Sequence, residues 1–403
     1  MKATAVIGAN YGDEGKGLIV DHLVRRDKAT IAVRFNGGAQ AGHTVTELSG
    51  RRHTFRHFSA GTFAGARTYL SRHFILNPML FVKEKGELLE LGFHDLDIMV
   101  DPRAIITTPW DIIANQARER AAGDKRLGSC GVGIRDTVER NEMHGFGLTL
   151  GEMRSLSTSD LVKRFETIRD DWLPEQLDAY KTPFGEADRA LAHDGGVFSR
   201  YLFDLDALTR NSALVHSSNL KGTGRGRILF EGSQGLGLDQ TNGTVPHVTR
   251  SNTGLKNVIE ICEDAGITDL EVYYVTRSYL TRHGAGPMEN EGPKPFKKIV
   301  ETTNDTNEFQ GAFRYGMLDA ETLRTRIQTD LKYTRASSVN VFPKLAVTCV
   351  DQVDDLGHFK GDGITIGVLK CGFPDAVCRA VGLPKVLISE GPTRATLSER
   401  FVL

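Results

Sequence analysis

Near the N-terminus, Gly12-Asp13-Glu14-Gly15-Lys16-Gly17 places two carboxylates and an ammonium in a glycine-rich segment. Glycines let backbone N–H groups close on an anion, and a helix starting there adds partial positive charge. Lys16 supplies a point charge for terminal phosphates. This is not a Walker A loop: Asn10 stands where its first glycine would be, and Gly17 replaces the Ser/Thr that holds magnesium. A metal must then take its ligands elsewhere, and Asp13 is the nearest carboxylate. In isolation, an ordinary strand–helix turn would read the same way. A second cluster, Asn36-Gly37-Gly38-Ala39-Gln40-Ala41-Gly42-His43-Thr44, sets a histidine among glycines, as suits a general acid reached by a buried ligand. A third, Phe230-Glu231-Gly232-Ser233-Gln234-Gly235, runs on to Gly243-Thr244-Val245-Pro246-His247-Val248-Thr249. Gly284-Ala285-Gly286-Pro287 and Gly391-Pro392-Thr393-Arg394 complete the set.

These loops need elements to aim them. Residues 4–7 read as a buried strand, and residues 18–24 carry apolar side chains at helical spacing. Residues 30–35 read as a second strand. Further strand candidates are 97–100, 227–231, 271–275, 345–350 and 385–388. Residues 151–218 are charged and helix-like, an expected helical insertion, and 362–368 read as a hairpin arm. The alternation predicts an α/β fold: a large, mostly parallel central sheet flanked by helices, P-loop-NTPase-like. Ligands bind at the carboxyl ends of parallel strands, so loops at several strand ends point at one crevice. With no repeat, low-complexity tract or proline-rich linker, residues 1–403 are expected to form one unit.

Composition narrows the class. The chain has 403 residues, 50 Lys+Arg, 51 Asp+Glu and a net charge of -1. Nucleic-acid binding is not expected without a cationic surplus. No apolar run approaches the roughly 18 residues of a membrane span. The N-terminus turns glycine-rich too early for a signal peptide. Five cysteines give no disulfide framework, so a cytoplasmic setting is expected. The 43 glycines exceed the usual share of about 7%.

Together these motifs resemble the adenylosuccinate synthetase family: GDEGKG (12–17), AGHT (41–44), FEGSQG (230–235), VTRSNT (248–253), TRHGAGP (281–287), LDAETLR (318–324) and GPTR (391–394) occur in the family's order. The resemblance implies a ligase that joins L-aspartate to the 6-position of a purine monophosphate, using GTP and Mg2+. It implies Asp13 as the base at the ring nitrogen, His43 as the acid at the 6-oxygen, and Gln234 as support for that oxygen. Gly12, Glu14, Gly15, Lys16, Gly17, Gly42, Thr44, Asp351, Gly391 and Pro392 match the triphosphate site. Asp13, Gln40, Ser129, Cys130, Gln234 and Thr249 match the monophosphate site. Asp13 and the Gly42 carbonyl match the metal ligands. Family members are usually homodimers with shared sites.

The departures bear on the substrate. The family's Thr-Lys-Leu-Asp base motif is here Thr348-Cys349-Val350-Asp351, so a lysine that packs on guanine is lost and ATP or dATP becomes a candidate donor. The aspartate loop, between Asn307-Glu308-Phe309 and Leu318-Asp319, is shortened to Gln310-Gly311-Ala312-Phe313-Arg314-Tyr315-Gly316-Met317. It keeps one arginine. Arg314, with Gly311, is the candidate for the aspartate carboxylate, which a guanidinium fork fits. Gln40 stands for a usual Asn and Cys130 for a usual Thr. At the place of a partner-donated arginine stands His144, with Arg140 nearby. The pattern resembles a phage-type branch, 2-aminoadenylosuccinate synthetase, which takes dGMP. The retained Asp13 pulls the other way, toward an intermediate branch or an IMP enzyme; dGMP is the favoured substrate and IMP the alternative. A GTPase-like switch is the alternative of another class.

Overall fold

The computed structural model describes residues 2–126, 128–223, 226–301 and 311–402. The strands, in chain order, are β1 (Lys2–Gly8), β2 (Ala29–Arg34), β3 (His43–Thr46), β4 (Arg52–Phe55), β5 (Arg67–Leu70), β6 (Ile98–Val100), β7 (Ser212–Leu214), β8 (Arg227–Gly235), β9 (Asp269–Arg277), β10 (Leu280–Arg282), β11 (Glu291–Gly292), β12 (Arg314–Gly316), β13 (Asn340–Thr348), β14 (Leu356–Gly361), β15 (Ile364–Leu369), β16 (Lys385–Ser389) and β17 (Leu397–Phe401). Ten of them form one sheet, ordered β17-β16-β13-β9-β1-β8-β2-β5-β6-β7. Every pairing in it is parallel except β16 with β17. The expected fold class is the one observed.

Both faces of this sheet are covered, as a parallel sheet requires. On β1, Ala5 and Ile7 join one core with Val272 and Tyr274, while Val6 faces the other with Tyr273 and Val275. The helices α10 (Leu255–Ala265), α11 (Ala320–Leu331) and α12 (Phe373–Val381) contribute to the first core. The helices α1 (Lys16–Asp27), α2 (Pro78–Glu90) and α3 (Pro109–Ala122) contribute to the second. Their starts are written locally. Thr108 and Asp111 form a capping box on α3 with Pro109 in its first turn, and Asn77 caps α2 ahead of Pro78.

Several boundaries differ from the sequence reading. β13 starts at Asn340 rather than 345, because Pro343 lies outside the segment of β13 that pairs with β16, Leu345 to Val347. A proline is tolerated where a strand side is open. β3, β4, β5, β10, β11, β12 and β17 were not anticipated: most are three to five residues long, too short for alternation to register. Within 151–218 lie most of α5 (Leu150–Ser155), then α6 (Thr158–Thr167), α7 (Leu173–Ala179), α8 (Glu186–Ala192) and α9 (Gly195–Arg210), but also β7, an edge strand of the main sheet. The expected arm at 362–368 is the β14–β15 hairpin.

Candidate functional site

The loops leaving β16, β13, β9, β1, β8 and β2 sit side by side along one edge of the sheet, in that spatial order. Against the last four lies a cavity of about 700 Å³. Gly12, Asp13, Gln40, Gly42, His43, Thr44, Ser129, Cys130, Gln234 and Thr249 line it. Residues far apart in sequence are thus brought together because their strands are neighbours.

His43 is buried, and its Nδ1 is bonded to Glu231, which lies on β8 and is itself fully buried. The Ala60 N–H also donates to Glu231, at 3.1 Å. Burial, then the Arg34 charge, lowers the His43 pKa to about 4 against the opposing pull of Glu231. Burial alone would raise Glu231, but its contact with His43, the Arg34 charge and its hydrogen bonds turn its shift downward. The pair therefore rests as a neutral imidazole donating to a carboxylate. His43 Nε2 is left without a partner and belongs to the cavity lining.

Asp13 follows the left-handed Gly12, at φ 117°. Burial raises its pKa, and His283 and Arg277 oppose that rise. His283 Nε2 lies 3.9 Å from Asp13 Oδ2. Gln234 also adopts a left-handed backbone, φ 54°, a conformation that costs a non-glycine residue energy and often marks a functional position. Its Oε1 is buried without a partner.

Other expected residues stand elsewhere. Lys16 is 2% exposed and does not line the cavity: its ammonium bonds the Gly12 carbonyl and Glu14 Oε2, the latter at 2.9 Å. Glu14 Oε1 takes the N–H groups of Asn10 and Gly12, at 3.1 and 2.7 Å. The loop thus folds around its own carboxylate. Thr348 Oγ1 ties it to β13 through the Glu14 carbonyl, at 2.8 Å. Gly15 and Gly17 flank this turn outside the lining. Asp351, Gly391 and Pro392 follow the neighbouring strands β13 and β16, beyond the glycine loop from the cavity. Arg314 does not line the cavity either. Its guanidinium bonds the Gly284 and Gly286 carbonyls, both at 2.8 Å, and Glu291 at 2.7 Å. Gly311, at φ 71°, precedes it; Asn307, Glu308, Phe309 and Gln310 lie outside the described residues. Arg140 is fully buried and bonded to Asp111, so it faces no partner; His144 is exposed.

The sequence reading missed Arg56, Lys83, Arg135, Arg250 and Arg282 in the cavity wall. Arg250 and Arg282 fall inside quoted motifs, but nothing in spacing marks their direction. Asp13 and the Gly42 carbonyl offer hard oxygen donors on the same cavity, a set that fits magnesium sharing its shell with phosphates. Among the described residues no group of three or more His, Cys, Asp or Glu is arranged to hold a metal ion by itself. No helix among them is long and apolar enough to cross a membrane.

The adenylosuccinate synthetase family model matches residues 5–360. A relative named adenylosuccinate synthetase from Syntrophotalea carbinolica is 31% identical over 303 residues, covering 72% of this chain and 65% of that protein. One from Mannheimia succiniciproducens is 29% identical over 372 residues, 89% of this chain and 79% of that protein. Fully ligated adenylosuccinate synthetase from Plasmodium falciparum has a similar fold, with a TM-score of 0.68 at 20% identity, covering 98% of this chain and 99% of its own. So does cyanophage S-2L succinoaminodeoxyadenylate synthetase bound to dGMP and dATP, with 0.61 at 16%, covering 98% and 95%. The chain belongs to the adenylosuccinate synthetase family, a family of C–N bond-forming ligases.

Proposed function

We propose that this chain joins L-aspartate to the 6-position of a purine nucleoside monophosphate, through a 6-phosphoryl intermediate formed from a nucleoside triphosphate. The observation that carries the reading is the meeting of Asp13, His43 and Gln234 on one cavity from three adjacent strands. Asp13, with its raised pKa, takes the proton from the ring nitrogen beside the carbonyl. The freed 6-oxygen attacks the γ-phosphate, whose bond to the β-phosphate oxygen breaks as the nucleoside diphosphate leaves. Gln234 and His43 face that oxygen. The aspartate amine then displaces phosphate from the 6-carbon. His43 rests neutral, so acid chemistry needs a proton that incoming phosphate charge would favour. Asp13 and the Gly42 carbonyl would hold Mg2+, which neutralises phosphate charge when bound.

The favoured monophosphate is dGMP. Gln40 and Cys130, the two substituted phosphate-site positions, both line the cavity, and the cyanophage protein of similar fold is described with dGMP. Cys349 in the base loop favours ATP or dATP as donor. The second reading, IMP with GTP, is supported by the retained Asp13 and by the names of the relatives. A homodimer is the expected assembly. The deciding experiment is a substrate matrix: IMP, GMP and dGMP, each with aspartate and each with ATP, dATP or GTP. Succinylated product from dGMP but not IMP upholds the favoured reading, and turnover of IMP alone replaces it. Nucleotide hydrolysis independent of aspartate would make the chain a switch. Asp13→Ala should abolish product while the unfolding midpoint holds.

A further inference from the structure

An amino acid with two carboxylates needs cationic partners beside the reacting carbon, and the expected one, Arg314, is turned away. Its guanidinium is committed to Glu291 and to the carbonyls of Gly284 and Gly286. Among the cations of the cavity wall, Arg118 pairs with Asp136 and Arg250 with Glu142. Arg282 differs. It is 2% exposed, lines the cavity, and has no carboxylate partner. Its Nη1 and Nη2 donate to the carbonyls of Pro287 and His247, at 2.7 and 3.1 Å, the Tyr11 hydroxyl lies within its reach, and its Nε has no partner. Its guanidinium lies 4.6 Å from the centre of the Tyr11 ring. The neighbouring carboxylate, Glu289, is already taken by Arg326 and the Tyr11 hydroxyl, at 2.8 and 2.7 Å.

A buried guanidinium held by two carbonyls and an aromatic face remains a charge in search of an anion. His247 stands beside it in the same wall with its Nδ1 unpartnered, and burial and the charges of Arg282 and Arg314 favour its neutral form. The next residue after Arg282, His283, reaches to within 3.9 Å of Asp13. This end of the cavity therefore borders the reacting centre. Arg56 and Lys83 are exposed residues elsewhere in its lining.

We propose that Arg282, with His247, is the subsite for one carboxylate of the amino-acid substrate, and that Arg314 is a positioning residue that fixes the 284–286 loop beside it. The proposal rests on the ligase reading above and places the carboxylate subsite on residues outside the shortened loop before Leu318. The subsite binds; it makes or breaks no bond.

The test compares wild type with Arg282→Gln, Arg282→Lys and His247→Ala, reading KM for L-aspartate against KM for the nucleotides. Arg282→Gln should raise the aspartate KM about 10²-fold, the scale of losing a desolvated charge partner, while nucleotide KM values move less than about threefold. Arg282→Lys should recover part of the loss, because it restores charge without the fork. His247→Ala should raise the aspartate KM about tenfold, as for a hydrogen bond to a charged group. An aspartate KM within threefold of wild type in Arg282→Gln overturns the proposal, and so does a parallel rise in nucleotide KM. If Arg282→Gln does not fold, unchanged aspartate KM in both Arg282→Lys and His247→Ala overturns it. Calorimetry with succinate, an unreactive dicarboxylate, separates this from the ligase reading. A wild type that makes no succinylated product, yet binds succinate and loses it in Arg282→Lys, refutes the reaction and keeps the subsite.

Discussion

His43 carries the site's most consequential burial. Its partner Glu231 is 188 positions away in sequence, and the charge of buried Arg34, on β2, also acts on it. Sequence reasoning could find His43 from its glycine setting, but Glu231 read only as part of a motif. What joins them is the pairing of β2 with β8. The electrostatics have a measurable sign. The folded pKa of His43 is lowered to about 4, chiefly by burial and then by Arg34, against an unfolded value near 6.5. Between those values the unfolded chain binds more protons, so stability is full above the upper one and falls as pH drops toward the lower. One such group costs about 1.4 kcal/mol per pH unit across that window. Urea unfolding at pH 7 and pH 5 should show His43→Asn losing less stability than wild type, by about 1–2 kcal/mol. Equal losses would mean that His43 is not held neutral. His57, also lowered by burial, contributes to both proteins alike.

At the level of elements, what mattered was which loop follows which strand. The glycine clusters, the strand that leads into the first of them and the fold class were legible because apolar runs and glycines mark strand ends directly. The short strands were not, and neither was the inward turn of Lys16. That turn depends on Glu14 filling the crook of the loop, a contact that no spacing encodes. Gly8 shows how tightly this turn is built. A Cβ there would meet the Gln234 carbonyl, with Glu14 Oε2 at 2.6 Å and the Lys16 ammonium at 2.8 Å. Backbone on β8 cannot give way as a side-chain tip can. Gly8→Ala should therefore destabilise by about 1–3 kcal/mol, the usual result of overpacking, and displace Gln234. Chemical unfolding and turnover together check this, and a fully active, equally stable variant would show the loop to be softer than its contacts imply. The neighbouring loop after β13 carries the donor question. Cys349 has a left-handed φ of 58° and is followed by exposed Asp351. Cys349→Lys should restore a stem able to pack on a purine and move donor preference toward GTP. An unchanged ATP-to-GTP ratio would remove that loop from the specificity argument.

Across the whole molecule, the open question is whether one chain suffices for one site. The family resemblance expects an arginine from a second subunit. Here Arg140 is sealed inside, bonded to Asp111 at 2.8 and 3.0 Å and to the carbonyls of Ile106 and Phe146 at 2.6 and 2.7 Å. Releasing it would leave Asp111 buried without its charge partner, typically a loss of about 3–5 kcal/mol. The cavity instead has cations of its own chain: Arg56, Lys83, Arg135 and Arg250 all line it. Arg250 follows Thr249 in the wall, and its Nε is buried without a partner. If these replace a donated arginine, the site is complete within one chain even when the chain dimerises. Mixing two inactive variants then distinguishes the cases. Asp13→Ala removes the base, and Arg135→Ala with Arg250→Ala removes wall cations. In a shared site, a mixed dimer would assemble one intact centre from the two defective chains and recover up to about a quarter of wild-type activity, by random pairing of subunits. In a site built from one chain, every centre keeps a defect and the mixture stays as inactive as its parts. We expect no recovery, together with a specific activity that does not fall on dilution through the dimer dissociation range followed by sedimentation. Recovery on mixing would require Arg135 or Arg250 to reach a centre across an interface, and would make the site a shared one.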